Sequence, residues 1–334
     1  MATKERKLEH LRSALAEDVQ FHKKTTWLEK VLLEYKALPE IDLSDVNLKT
    51  EFLGKMLNAP LIVSGMVGGI EEAKKINKDI AQACESLGIG MGVGSQRAML
   101  ENKNLTSTYY VRDVAPNIFL AGNIGVTQLK EYSLEQIEDA LEAIGADALA
   151  VHINAAQEAM QPDGTPMFKG CLKWIDFISK KLSKPVYIKE VGHGISYAVA
   201  RELSKTKIRA IDVQGAGGTS WTAIESLRSN KTFGDTFWDF GIPTASSIVE
   251  CRKAFKGPII ASGGIRSGLD AVKGFVLGAN LVGIALPVLK AQQKAGVKGV
   301  EQYLQKIIDE MRIALFLIGA KTPRDALGRG RLYT

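Results

Sequence analysis

Between Pro60 and Pro287 the chain alternates short apolar, β-branched runs, each ending in glycine or a polar residue, with longer stretches of helical apolar spacing. Eight runs stand out: Leu61 to Met66, Ile89 to Gly94, Ile118 to Ile124, Ala148 to Asn154, Val186 to Val191, Ala210 to Gln214, Ile259 to Ser262 and Leu281 to Leu286. Between them, Glu71 to Ser86 sets Ala73, Ile76, Ile80 and Ala83 on one helical face, and Leu134 to Ile144 repeats the pattern. Strand followed by helix, repeated, is the unit of a parallel sheet. Eight units favour an α/β fold of the closed (β/α)8 TIM barrel type over an open doubly wound sheet, the alternative the same pattern allows. The interval after Ala210 is longer than one unit needs and holds GAGGTSW, a charged segment and FGIPT, which predicts a long loop leaving the sixth strand.

Residues 1–59 form an N-terminal extension, with a helix predicted over Arg6 to Val19 and extended segments after it. Residues 60–334 carry the barrel, an apolar helix near Tyr303 to Ile318 and a basic tail from Lys321 to Arg331. No internal repeat or low-complexity linker divides the chain, so the expectation is one domain.

Composition excludes some classes. With 334 residues, 46% hydrophobic and 24% charged, the chain can bury a large core and is neither disordered nor fibrous. Lys and Arg total 43 against 37 for Asp and Glu, a net +6 and a pI near 9.0. The excess is spread thinly, which suits anionic small molecules and not a nucleic-acid footprint. Cys84, Cys171 and Cys251 are far apart and form no metal-ligand spacing, so neither a disulfide scaffold nor a zinc site is expected. The N-terminus has no apolar h-region, and runs such as Ile313 to Ala320 are too short to span a bilayer; a soluble cytoplasmic protein without a membrane partner is expected.

In a barrel of this kind, chemistry belongs to polar residues at the C-terminal strand ends. That singles out Ser64 to Gly69, Ser95, Gln96, Arg97, Asn123, His152, Asn154, Gln157, Glu158, Lys189, Glu190, Thr219, Gly263 to Arg266 and Ala285. ASGGIRSG after the seventh run and GIALP in the eighth lie where barrels hold phosphate on backbone N–H groups and a helix N-terminus; otherwise the glycines only permit tight turns. GAGGTS at Gly215 to Ser220 adds a third glycine-rich turn and tips the balance to phosphate, although its spacing is not a dinucleotide fingerprint.

Lys189 ends the fifth run. A buried lysine there is a Schiff-base nucleophile, a cation beside an electron-rich cofactor, or one half of a structural ion pair with Glu190 or a neighbouring strand. His152 and Asn154, with Gln157 and Glu158 on the next turn, offer three neutral hydrogen-bonding groups and one carboxylate, a set that suits a magnesium-bound polyphosphate; a core histidine is the bland alternative. Arg6, Lys7 and His10 on the first helix, with Arg97, form a diphosphate clamp or else a solvated helix face. Trp221 and Met66 line an apolar pocket or belong to the core.

RKLEH, SGMVGG, GSQRAM, HINAAQE followed by PDG, IKEVGHGIS, GAGGTSW, FGIPT and ASGGIRSGLD occur together and in order from Arg6 to Leu327. As a set they resemble the type 2 isopentenyl diphosphate isomerases. The resemblance implies an FMN-containing (β/α)8 barrel that interconverts isopentenyl and dimethylallyl diphosphate, using reduced FMN, a divalent metal such as Mg2+, and NADPH or NADH as reductant. It implies substrate contacts at Arg6, Lys7, Ser95, Gln96, Arg97, Asn154 and Gln157, and the metal at Glu158. It also implies an FMN site at Gly65, Met66, Val67, Ser95, Asn123, Lys189, Gln214, Thr219, Gly264, Ile265, Arg266, Ala285 and Leu286. Gln157, His152 and Lys189 are the implied catalytic group, and a homo-oligomer, tetramer or octamer, is the implied assembly. Two positions depart from the pattern: Val67 replaces a threonine of the family's MTGG, and Gln214 stands where the family often has serine, which implies a different reach toward the flavin phosphate. The competing readings are an FMN barrel that oxidises small hydroxy acids and a flavin-binding module without catalysis.

Overall fold

The structure, a computed structural model, describes residues 2–229 and 234–333. The eight runs form parallel strands: β1 (Leu61–Val63), β2 (Gly90–Gly92), β3 (Leu120–Gly125), β4 (Ala148–His152), β5 (Val186–Lys189), β6 (Ala210–Asp212), β7 (Ile259–Ser262) and β8 (Leu281–Ile284). Each pairs with the next, and β8 pairs back onto β1 with Val282 opposite Leu61, so the sheet closes into a barrel. The strands are buried on both faces, which is why they read as continuous apolar runs instead of alternating ones. Most ladders stop before the runs do. Ser64 to Met66, Ile153 and Asn154, Glu190 and Val191, and Ala285 with Leu286 lie past the last paired residues and shape the mouth. Gln214 ends its run at φ +36, a left-handed backbone that cannot continue a strand.

The helix Glu71–Leu87 spans its predicted range and stops at Gly88 in the left-handed region; Leu134–Glu142 starts at a reciprocal Ser133–Gln136 cap. Inside the barrel Ile62, Ala121, Ala150, Ala210 and Ile260 pack with Phe52, which comes from the hairpin Thr50–Phe52 and Lys55–Leu57. The Phe52 ring meets Phe119 edge-on at 5.0 Å, plugging the barrel beside the start of β3. This part of residues 1–59 therefore serves the core at the end opposite the strand tips, a role not anticipated for the extension.

Three other expectations change. The first helix is Ala2–Ala16, not Arg6 to Val19, because Val19 leaves it to pair with Ser220. The long interval after β6 is mostly helical, with Trp221–Ser229 and Gly234–Phe237 ahead of Thr244–Ala254; residues 230–233 lie outside the described set. The C-terminal helix begins at Leu286 and runs to Leu317, broken at Ala295 and Gly296, and the basic tail ends in a strand, Gly330–Leu332, antiparallel to Val31–Leu33. Among the described residues no helix is long and apolar enough to cross a membrane.

Candidate active site

The strand tips open into one cleft, roofed by the helix Ala2–Ala16 through Arg6, Lys7, His10, Leu11 and Ala14. Residues from all eight strand ends meet there, from Ser64 after β1 to Ala285 after β8. Of the residues singled out above for binding or catalysis, all line this cleft except Gly69, Gln96 and Glu190. The Gln96 side chain turns away beneath β3: its Nε2 donates to Ala140 O at 2.8 Å and its Oε1 accepts from the Asn123 N–H at 3.0 Å. It braces Asn123 from behind and is not placed to touch a ligand.

On one side of the cleft, glycine turns meet backbone to backbone. A Cβ built on Gly218 would lie 2.5 Å from Gly264 N, and one on Gly263 would lie 2.1 Å from Gly215 O. Gly263 and Gly264 have φ of +93 and +74, which side chains beyond glycine rarely tolerate. Among the described residues the N–H groups of Gly264 and Ile265 find no acceptor, and at the start of the next helix Leu286 adds one more, while Pro287 has no N–H and Val288 and Leu289 donate to Ala285 O at 3.0 and 3.2 Å. An anion is the partner such a surface suits. Gln214 also lines the cleft, and its Nε2 donates to Ser64 Oγ at 3.0 Å, which turns the amide to the barrel mouth.

Lys189 ends β5, 5% exposed, and its Nζ donates to the Glu190 carbonyl at 2.8 Å. The Glu190 carboxylate faces the other way, accepting from the N–H groups of Val191, Gly192 and His193 at 2.5–2.7 Å, so no Lys189–Glu190 ion pair of side chains forms. Burial pulls the Lys189 pKa down, while Asp212 on the adjacent strand and Glu190 pull it up. Asp212 is held by Ser262 Oγ and by Gln214 Nε2, and burial raises its pKa.

The opposite side carries the other charged groups. Lys7 Nζ donates to Gly68 O at 2.7 Å, Tyr109 Oη at 3.0 Å and Ser95 O at 3.1 Å. Three acceptors suit an ammonium, yet burial and the Arg6 charge bring its pKa down to about 7. Arg6 pairs with Asp163 at 2.9 Å, and Arg97 with Glu101 on its own helix at 2.8 Å. His152 Nδ1 lies 2.8 Å from Asn123 Oδ1, whose amide nitrogen is already committed to Val93 O at 3.1 Å. Nδ1 therefore carries the hydrogen, and Nε2 is a bare acceptor. Burial, with Lys189 and Lys7 nearby, lowers the His152 pKa to about 3. The expected neutral donor is thus an acceptor at its free nitrogen. Glu158 Oε1 accepts from Asn154 Nδ2 at 3.0 Å and Oε2 from Thr165 N at 2.7 Å. Among the described residues no three His, Cys, Asp or Glu side chains gather as a metal cage, so a cation here would keep most of its waters.

One residue of the site escaped the sequence reading. Glu225, fully buried on the helix Trp221–Ser229, accepts from Gln157 Nε2 at 3.0 Å, His10 Nε2 at 2.8 Å and Arg228 at 2.5 Å. Its signal was helical spacing: Trp221, Ile224 and Glu225 share a face, hidden when the stretch is taken as loop.

The sequence matches the family of FMN-dependent dehydrogenases over residues 153–332. Its fold is that of a mutant flavocytochrome b2 with pyruvate bound (TM-score 0.72, 18% identity, 97% of this chain and 82% of that one). It is also that of a Pediococcus acidilactici chain described as a putative lactate oxidase (TM-score 0.69, 17% identity, 100% and 93%). Among curated proteins, the chain is 46% identical to the isopentenyl-diphosphate delta-isomerase of Ignicoccus hospitalis, over 98% of its own length and 93% of the relative's. The enzymes of the same name from Sulfurisphaera tokodaii and Pyrococcus furiosus share 46% and 43% identity, over 95% of this chain and 88% and 83% of theirs. Relatedness at this level and over nearly the whole barrel makes the chain a member of the isopentenyl-diphosphate delta-isomerase family.

Proposed function

We propose that this chain interconverts isopentenyl and dimethylallyl diphosphate by a 1,3-allylic proton shift, with FMN on the glycine turns, Mg2+ at the diphosphate, and NADPH or NADH as the reductant that readies the flavin. The observation that carries the reading is the two-sided cleft: an anion-binding backbone surface on one side, and on the other a cluster of Arg6, Lys7, Asn154, Gln157 and Glu158 under the first helix. Family membership supports the same assignment.

The residues fit both groups. Gly264, Ile265, Ala285 and Leu286 would hold the flavin phosphate on backbone N–H groups and a helix start, with the Arg266 guanidinium beside them, since the Arg266 N–H donates to Asp270 Oδ2 at 3.1 Å. Gly65, Met66, Val67, Asn123, Thr219 and Lys189 would line the ring. Reduced FMN, when bound, supplies the acid and base of the shift. Lys189 balances the negative charge of a reduced ring in a dry cleft, where an unpaired charge is costly. Glu158 would hold the cation as the one carboxylate beside the diphosphate, with Asn154 orienting it. Arg6 and Lys7 would neutralise phosphate oxygens, and the bare His152 Nε2 would be free to accept a hydrogen bond from a donor in the diphosphate site. Gln157, aimed by Glu225, orients the C5 chain at the reacting carbons. One proton is added to the terminal alkene carbon and another leaves the allylic carbon, so no net oxidation occurs; the helix over the cleft excludes water from a cationic transition state.

The reading also carries a cytoplasmic homo-oligomer, tetramer or octamer. The exposed Trp174–Phe177 pair on the barrel's outer surface supports an association face.

The test is anaerobic turnover of isopentenyl diphosphate with FMN, Mg2+ and NADPH, omitting each in turn. Dimethylallyl diphosphate that disappears without FMN or reductant supports the reading. Folded, flavin-loaded protein that forms none, but oxidises a hydroxy acid, replaces it.

A further inference from the structure

The segment after the first helix, residues 19–27, lies across the glycine turns. Val19 O accepts from Ser220 N at 2.8 Å and Phe21 N donates to Gly218 O at 3.0 Å, so Gln20 pairs antiparallel with Thr219. The crossing is close: a Cβ on Gly217 would lie 2.2 Å from Thr26 N, and one on Gly264 2.3 Å from the Thr26 methyl carbon.

This strap is held from outside. The Asp239 carboxylate accepts from the N–H groups of His22, Lys23 and Lys24 at 2.9–3.3 Å. Trp238 Nε1 donates to Gln20 O at 2.8 Å, and its ring stacks on His22 with centroids 4.5 Å apart. With its backbone fixed on both sides, Gln20 reaches Arg266 with its side chain. Its Oε1 accepts from an Arg266 terminal nitrogen at 2.7 Å, while the other terminal nitrogen of Arg266 donates to the Ile265 carbonyl at 3.0 Å.

Arg266 closes the Gly263 to Arg266 turn at the exposed rim of the cleft. A free arginine there would lose much rotamer freedom on pairing with an anion. The tether removes that cost beforehand and leaves other guanidinium N–H donors for the anion. We propose that Gln20 is a positioning residue for the cofactor phosphate, presetting the Arg266 guanidinium through the strap. The inference rests on the cleft being an FMN site, and it concerns the phosphate only.

The experiment titrates flavin-free protein with FMN and, separately, with riboflavin, which lacks the phosphate, following flavin fluorescence. Gln20→Met keeps length but not the acceptor; Arg266→Met and the double variant complete a cycle. Expected is roughly five- to tenfold weaker FMN binding for Gln20→Met, unchanged riboflavin binding, and no further loss when Arg266 is already replaced. Equal loss for both flavins, no loss at all, or an undiminished loss in the Arg266→Met background overturns the tether. Wild-type protein that binds neither flavin overturns the cofactor reading itself, and the tether with it. Riboflavin binding reports an intact cleft in each variant, and Gln20→Ala repeats the measurement without the methionine side chain.

Discussion

Glu225 Oε1 accepts a hydrogen bond from Gln157 Nε2 at 3.0 Å, at a carboxylate with no exposed surface. Gln157 Oε1 is thereby left to Asn154 Nδ2 at 3.1 Å, so one carboxylate decides which way the Gln157 amide faces. Glu225→Gln removes that decision, because a second amide accepts either orientation. The expected outcome is a kcat lowered roughly 10- to 100-fold with a smaller change in KM, and a lower Tm from the lost charge-assisted bonds to His10 and Arg228. An unchanged kcat in the folded variant removes Glu225 from the site. Burial alone would raise the Glu225 pKa, but His10, Gln157 and Arg228 hold it below the ordinary range. Its contribution to stability is thus present above a pH of about 4.3 and is lost as pH falls through the lowered folded-state value.

Lys7 titrates where assays are run. With a pKa of about 7, its charge falls as pH rises from 7 to 9, and with it the attraction for a diphosphate. KM for isopentenyl diphosphate should climb across that window. In Lys7→Arg the climb should flatten, since a guanidinium stays charged. Parallel profiles for the two proteins would take Lys7 out of substrate binding. The unfolded chain keeps its lysine protonated to about pH 10, so the same shift makes folding stability rise with pH between 7 and 10.

His152 shows the opposite end of the scale. Its folded pKa of about 3 lies below the unfolded value near 6.5, so the unfolded chain binds the extra proton between them. Stability should fall as pH drops through 6.5 toward 3, and thermal melts of His152→Gln should show a shallower fall. Identical pH slopes would show that the ring is not held neutral in the folded protein.

Gly218→Ala tests the glycine surface directly. The new methyl would sit 2.5 Å from Gly264 N and 2.9 Å from its Cα, backbone that cannot yield without moving the turn. The expected result is a destabilisation of roughly 2 kcal/mol or more with at least tenfold weaker FMN binding. Full flavin affinity at unchanged Tm would show that the two turns are free to separate.

Much of this architecture was legible in the order of residues, because the strands of a parallel barrel are buried on both faces and write themselves as apolar runs. The strand tips followed from the same rule, and with them most polar residues of the cleft, although Gln128 and Gln161 were not among those singled out. The resemblance carried by motifs such as HINAAQE and GAGGTSW anticipated the family that relatedness shows.

What the chain order alone could not carry were directions and partners. Gln96 sits between two cleft residues yet points beneath β3, because side-chain direction at a turn depends on backbone angles that three adjacent letters do not encode. Glu225 joined the site only because a stretch taken as loop packs as helix against Gln157, 68 residues away in sequence. Val19 left a helix its local pattern favoured, since pairing with Ser220 satisfied the strap and the glycine turn together. The apolar periodicity of the sequence determined the barrel and which ends of its strands carry chemistry. Tertiary structure decided which polar atoms face the cleft, because hydrogen-bond partners distant in sequence are brought together only when the barrel closes.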